Sequence, residues 1–242
     1  MNRPPRTTTA ELTPPRPDLA AAWREAAGLL ALPRLGLSLG DLAREPAGNG
    51  SLVLVLPGFG AGDASTWPLR AFLASRGHRV QGWGLGANRL DVPSTIAAMA
   101  DAVVRHADRQ GAPVALVGWS LGGYIAREVA REQPAAVRRV VTLGSPVIGG
   151  PRYTSLAGLA PWQGWDLDFI EAEVERRKHV PLRVPVTAIY SRRDGVVAWQ
   201  ACIDPEGDAP IEHVEVTASH LGLGIDPDVY RIVARRLAAA AA

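Results

Sequence analysis

The sequence predicts an α/β fold: a mostly parallel six-stranded sheet with helices on both faces and a small lid-like insertion. Three observations carry this. Short apolar runs alternate with helical patterns of about ten to fifteen residues, the rhythm of strands joined by crossover helices. The runs are continuously apolar, as in strands covered on both faces of a parallel sheet. And 242 residues, 47% hydrophobic and 21% charged, suit one large domain with its own core.

Each element follows in chain order. Residues 1–17 (MNRPPRTTTAELTPPRP) are prolyl, polar and unpatterned, and read as a flexible arm before a single domain over 18–242. An Ala/Leu pattern from Leu19 to Leu32 predicts a helix with Asp18 as its cap and Pro33 as its break, and Leu35–Leu42 a short second one. Leu52–Leu56 is a buried strand stopped by Pro57-Gly58; Trp67–Ser75 a helix with Thr66 as cap; Arg79–Trp83 a strand. Thr95–Arg109 is a long helix capped by Ser94, Val114–Val117 a strand, Leu121–Glu132 a helix and Val137–Leu143 a strand. Pro185–Tyr190 and Ile211–Val216 are the last two strands, and the final helix runs from Asp228 to about Ala239 behind Pro227, which suits a first turn. Gly144–Arg183 is too long for a plain crossover. It predicts one or two helices inserted over the rim of the sheet, at about 145–183, in the manner of an active-site lid.

Composition excludes several classes. The formal charge is only +2, and the single Lys178 among 26 basic residues leaves scattered arginines and no basic stripe, which argues against nucleic acid as a partner. One cysteine, Cys202, cannot form an internal disulfide or a cysteine-rich metal site and reads as a packed small residue. No apolar run is long enough to cross a bilayer, and the amino-terminal arm lacks the apolar core of a signal peptide, so a cytoplasmic location is expected. Oligomeric state is not written in the sequence. The 25 glycines and 20 prolines call for many tight turns, and where the glycines gather is informative.

Gly118-Trp119-Ser120-Leu121-Gly122 is G-x-S-x-G with a buried strand before it and a helix after it. That setting presents a serine hydroxyl on a sharp turn above the sheet, and the glycines let the backbone double back. Ser120 is therefore the candidate nucleophile. A serine needs a base, itself oriented by a third group. Of five histidines, only His220 follows a late strand at its carboxyl end, where a parallel sheet places its catalysts. By the same rule Asp194, in the Arg193-Asp194-Gly195 turn after the preceding strand, is the candidate acid. Asp204 and Asp208 lie nearer to His220 in sequence but read as exposed loop. Two backbone donors are then required for a developing oxyanion. Leu121 opens the helix after the serine, and Phe59 lies in the Gly58–Gly62 loop after the first core strand. That loop is not G-x-G-x-x-G and no Walker lysine follows it, so a phosphate-binding role is disfavoured.

With Val117-Gly-Trp-Ser-Leu-Gly-Gly123 and Thr142-Leu-Gly-Ser-Pro146, the chain from Ser51 to Ala240 resembles the α/β-hydrolase superfamily, in particular its bacterial lipase/esterase branch. The order Ser120, Asp194, His220 is that of this superfamily. The resemblance implies a compact α/β-hydrolase fold without the usual first antiparallel strands. It also implies a serine hydrolase (an esterase or lipase) that forms an acyl-enzyme and needs neither metal nor organic cofactor. Pro57-Gly58 stands where a histidine–glycine pair usually opens the oxyanion loop, and Trp119 where a histidine usually precedes the nucleophile. Trp119, Trp162, Trp165 and Trp199 are candidates for an apolar wall around a small acyl ester. A thioesterase, amidase or acyltransferase would use the same triad. A non-catalytic ligand-binding scaffold is the reading from another class.

Overall fold

The computed structural model describes residues 19–28, 30–89, 91–204 and 209–239. The 1–17 arm and the Asp18 cap fall outside these residues. Strands β1 (Leu52–Leu56), β2 (Arg79–Gly82), β3 (Val114–Trp119), β4 (Val137–Leu143), β5 (Val186–Ser191) and β6 (Ile211–Val216) form one sheet in the order β2-β1-β3-β4-β5-β6. Every pairing in it is parallel. The strand order reverses direction between β1 and β3, and parallel sheets bind ligands at the carboxyl ends beside such a switch point.

Side chains alternate across each strand, and this divides the core in two. Leu52, Leu54, Leu56 and Leu116 face α5 (Val92–Gln110) and α6 (Leu121–Glu132), where they pack with Ile96, Met99, Ile125 and Val129. Val53, Val55, Ala115 and Val117 face α4 (Trp67–Ser75) and α9 (Pro227–Ala238), with Leu69, Leu73, Val229 and Val233. Burying each Leu or Val side chain contributes about 1.5–3 kcal/mol. The central strands are buried at almost every position, while the edge strands β2 and β6 are partly exposed throughout. Among the described residues no helix is long and apolar enough to cross a membrane.

Local differences from expectation have local causes. The first helix ends at Gly28, and Pro33 lies within α2 (Ala31–Leu37) instead of breaking a helix. Proline is tolerated in a first turn because its missing N–H would have no partner there. Helix α1 is Leu19–Gly28, and α3 is Leu39–Leu42. Thr66 precedes α4 but does not cap it; its hydroxyl donates to the Asp63 carbonyl. Helix α5 starts at Val92 with Pro93 in its first turn, so Ser94 lies inside it. At α9 the cap is Asp226, which accepts from the Asp228 amide.

The 145–183 segment folds as two 3₁₀ turns, Gly150–Tyr153 and Ser155–Leu159, then α7 (Ala160–Gln163) and α8 (Leu167–Lys178). Arg177 of α8 reaches Glu128 at 3.0 Å and Glu132 at 2.6 Å, both on α6.

Asp204 is the clearest departure from the sequence reading. It is not exposed loop but 4% accessible, and it pairs with Arg127 of α6, itself 1% accessible. Removing one partner of such a buried pair costs about 3–5 kcal/mol, because a charge is left uncompensated.

Candidate active site

Ser120 sits between β3 and α6 with φ 54°, and it is the only non-glycine with positive φ among the described residues. The strain is held by neighbours on both sides. Its amide donates to the Leu143 carbonyl of β4 at 2.8 Å, and its carbonyl accepts from the Gly123 amide at 2.9 Å. A Cβ on Gly118 would strike the backbone of Gly122 and Gly123, and one on Gly122 the carbonyls of Leu56 and Pro57. These are backbone contacts, so no side chain can swing aside to relieve them. Only glycine permits the turn.

The loops after β5 and β6 meet beside it. Asp194 Oδ2 lies 2.7 Å from His220 Nδ1, with side chains 1% and 6% exposed. Asp194 Oδ1 accepts from the amides of Val196 (2.8 Å) and Val197 (2.7 Å), so the carboxylate is fixed at both oxygens. Burial by itself would push the His220 pKa down. The Asp194 charge and hydrogen bond, with the charge of Glu25 added, outweigh burial and hold it above its ordinary value. Asp204 takes no part in this pair: besides Arg127, its amide donates to His213 Nε2 at 3.1 Å.

Phe59 lies in the loop after β1, beside Gly58, where a Cβ would come within 3.3 Å of Ser120 Cβ. Among the described residues, no protein acceptor is paired with the Phe59 or Leu121 amide. Asn88, which the sequence reading missed, holds this loop. It is 1% exposed; its side-chain amide donates to the Pro57 carbonyl at 2.9 Å, and its own carbonyl accepts from the Gly60 amide at 2.7 Å. The anchor that Pro57 cannot itself supply thus comes from a loop 31 residues onward.

A cavity of about 150 Å³ opens at Ser120. Phe59, Ile96, Leu121 and Tyr124 line it together with Trp165, Ile170 and Val174 of the inserted segment. Glu173 and Arg177 bring the charges to its lining.

The four tryptophans part company here. Trp165 lines the cavity and meets Phe59 edge to face at 5.4 Å. Trp162 on α7 is 88% exposed and is not in the lining. Trp199 stacks on Tyr190 at 5.8 Å, under the Arg192 guanidinium at 4.4 Å. Trp119 packs below the turn, against the α9-side core, and its indole N–H donates to the His220 carbonyl at 3.2 Å. Strand alternation explains the last: Trp119 shares the parity of Val117 and must face away from Leu121. Cys202 is buried, and burial pushes its thiol well above the usual range.

Glu25 of α1 is the second residue missed from sequence. Buried at 8% exposure, it accepts hydrogen bonds from the amides of Gly195, His220 and Leu221. Its partners are 170 to 196 residues away, and nothing local to α1 announces them.

A family profile described as "Alpha/beta hydrolase family" matches residues 52–241. Among solved structures, the chain is similar to Bacillus licheniformis lipase BlEst2 in mature form (15% identity, 81% of this chain and 95% of that one, TM-score 0.62). It is also similar to Paleococcus ferrophilus monoacylglycerol lipase (15% identity, 80% and 96%, TM-score 0.59). A third likeness is to the thioesterase domain from the curacin biosynthetic pathway (14%, 81% and 91%, TM-score 0.51). At these identities the likenesses speak to the fold alone. No curated protein matches by sequence.

Proposed function

The chain belongs to the alpha/beta hydrolase family, and from that premise we propose that it is a serine esterase acting on small esters with an apolar acyl group. The observation that carries the reading is the buried Asp194–His220 pair, 2.7 Å apart, whose His220 carbonyl takes a hydrogen bond from Trp119, the residue before a strained Ser120 turn that opens into an apolar cavity.

In this reading His220 takes the proton of Ser120 as its oxygen attacks the ester carbonyl. Asp194 holds the imidazole with Nδ1–H toward itself, so that Nε2 is free to act as base. The amides of Phe59 and Leu121 receive the oxyanion. Collapse of the tetrahedral intermediate expels the alcohol, protonated by His220, and leaves an acyl-Ser120 ester. Water, deprotonated by the same imidazole, attacks this ester and the acid departs. A cavity near 150 Å³ is about the size that holds benzene, so an acyl group of about six carbons fits within it. In the same reading, the inserted 145–183 segment serves as the lid of this cavity.

The test is a p-nitrophenyl ester series on wild type and Ser120→Ala, with fluorophosphonate labelling. Wild type labels and turns over, with kcat/KM peaking at short to medium chains. Ser120→Ala neither labels nor turns over above background, a loss of at least about 10⁴-fold. Equal turnover by the two proteins would overturn the reading.

A further inference from the structure

The matched family region begins at residue 52, yet a buried acid from the preceding segment ends among the candidate catalytic loops. Glu25 Oε1 accepts from the amides of Gly195 (2.8 Å) and His220 (3.0 Å), and Oε2 from Leu221 (2.8 Å). One of these amides follows Asp194 directly; the second is that of His220 and the third its neighbour's. A single carboxylate therefore ties the acid loop after β5 to the base loop after β6. The end of α1 is seated as closely: a Cβ on Gly28 would overlap Ser219 Oγ and come within 3.1 Å of the Gly222 amide. Side chain and helix are thus docked on the same loop.

The geometry points to Glu25 as a positioning residue for the Asp194–His220 pair, which makes helix α1 part of the catalytic apparatus. The assignment rests on the serine-hydrolase reading above. Glu25 touches no reacting atom and acts in two ways. Its three hydrogen bonds, each charge-assisted, set the spacing of two loops that are not paired with each other beyond Ser191 and Val216. Its negative charge favours the imidazolium that forms when His220 takes the serine proton. A well-ordered interaction of this kind holds reacting groups in register, where a shift of about 1 Å costs about 10²-fold in rate.

Glu25→Gln separates this from a prop for stability. The glutamine keeps the size but loses the charge, and its NH₂ must face at least one of the three backbone N–H groups, donor against donor. The expected result is a kcat reduced about 10- to 100-fold per fluorophosphonate-titrated site, with KM within about twofold. The rising limb of the pH–rate profile moves to lower pH, because a negative charge near His220 is gone. A lower melting temperature with kcat and that limb unchanged would overturn the assignment. Should Glu25→Gln not fold, Glu25→Ala prepared in sodium acetate takes its place. A kcat that rises saturably with acetate, and not with chloride at equal ionic strength, supports the assignment; a kcat indifferent to acetate overturns it. Ser120→Ala run alongside keeps the two readings apart. If it stays active, both fall; if it is inert while Glu25→Gln behaves as wild type, only the role of Glu25 falls.

Discussion

The serine turn and the proposed acid–base pair are built by opposite means. The turn lies at the middle of the sheet, where β3 is paired on both sides, and its strain is held by residues within reach of the chain itself: Gly118, Gly122, Gly123 and the carbonyl of Leu143. The pair lies toward the β6 edge, in loops beyond the last strand pairings, and is held by buried carboxylates, one of which comes from the amino-terminal helix. Rigidity is thus local and steric at the candidate nucleophile, long-range and electrostatic at its proposed partners. Substitutions should separate these regions: backbone crowding breaks the first, charge and hydrogen-bond geometry the second.

Asp194→Asn should have the largest effect on the second region. Oδ1 of the asparagine still accepts from Val196 and Val197, so the loop keeps its shape. Its NH₂ then faces His220 Nδ1 and imposes the tautomer with the proton on Nε2, which cannot act as base. A kcat loss of about 10⁴-fold is expected with a nearly unchanged circular-dichroism melt. A loss below about tenfold would mean the pair is structural and the comparison is drawn in the wrong place.

Asn88→Ala probes the first region from outside the turn. It removes the donor to Pro57 and leaves a buried carbonyl unpaired, so the Phe59 amide loses its support while Ser120 keeps its own. The expected cost is about that of one oxyanion donor, 10²–10³ in kcat, with fluorophosphonate labelling slowed but not abolished. Wild-type kinetics in this variant would show that the loop is held without the Asn88 side chain, by its glycines, its strand and the backbone bonds to residue 88.

How much of this could be read in the chain follows the same division. The serine turn, the six strands and the candidate acid and base are all visible because each depends on a few contiguous residues: an apolar run, a glycine turn, a polar group just past a strand end. Trp119 was readable in principle, since counting two residues along β3 from Val117 puts it on the α9 side. Asp204 was not, because its burial depends on Arg127 of a helix 77 residues earlier. Glu25 and Asn88 were invisible for the same reason. Each looks like an ordinary polar residue until the fold supplies the backbone groups it binds.

The smallest effect expected is one of pH, and it bears on both regions. His220 is held above its ordinary pKa, so it stays protonated, and inactive as a base, to a higher pH than a free imidazole. In the wild type, kcat/KM should rise with pH through a midpoint above 6.5, the ordinary histidine value. Stability carries the opposite sign for this residue. A raised folded pKa contributes stability that is complete below the unfolded value and is lost as pH rises through the folded one. His78 and His213 work the other way: burial lowers both, so the unfolded chain binds their protons first and acidification below about 6.5 destabilises. For these histidines stability is therefore greatest near the ordinary histidine value and falls as pH rises through the raised His220 pKa, while the deprotonated His220 that can act as base gains over the same range, so rate and stability part on the alkaline side. A pH–rate profile set beside melting temperatures checks this. A rate midpoint below the ordinary histidine value would mean that burial outweighs Asp194 and Glu25, and that the carboxylates around His220 orient it without holding its charge.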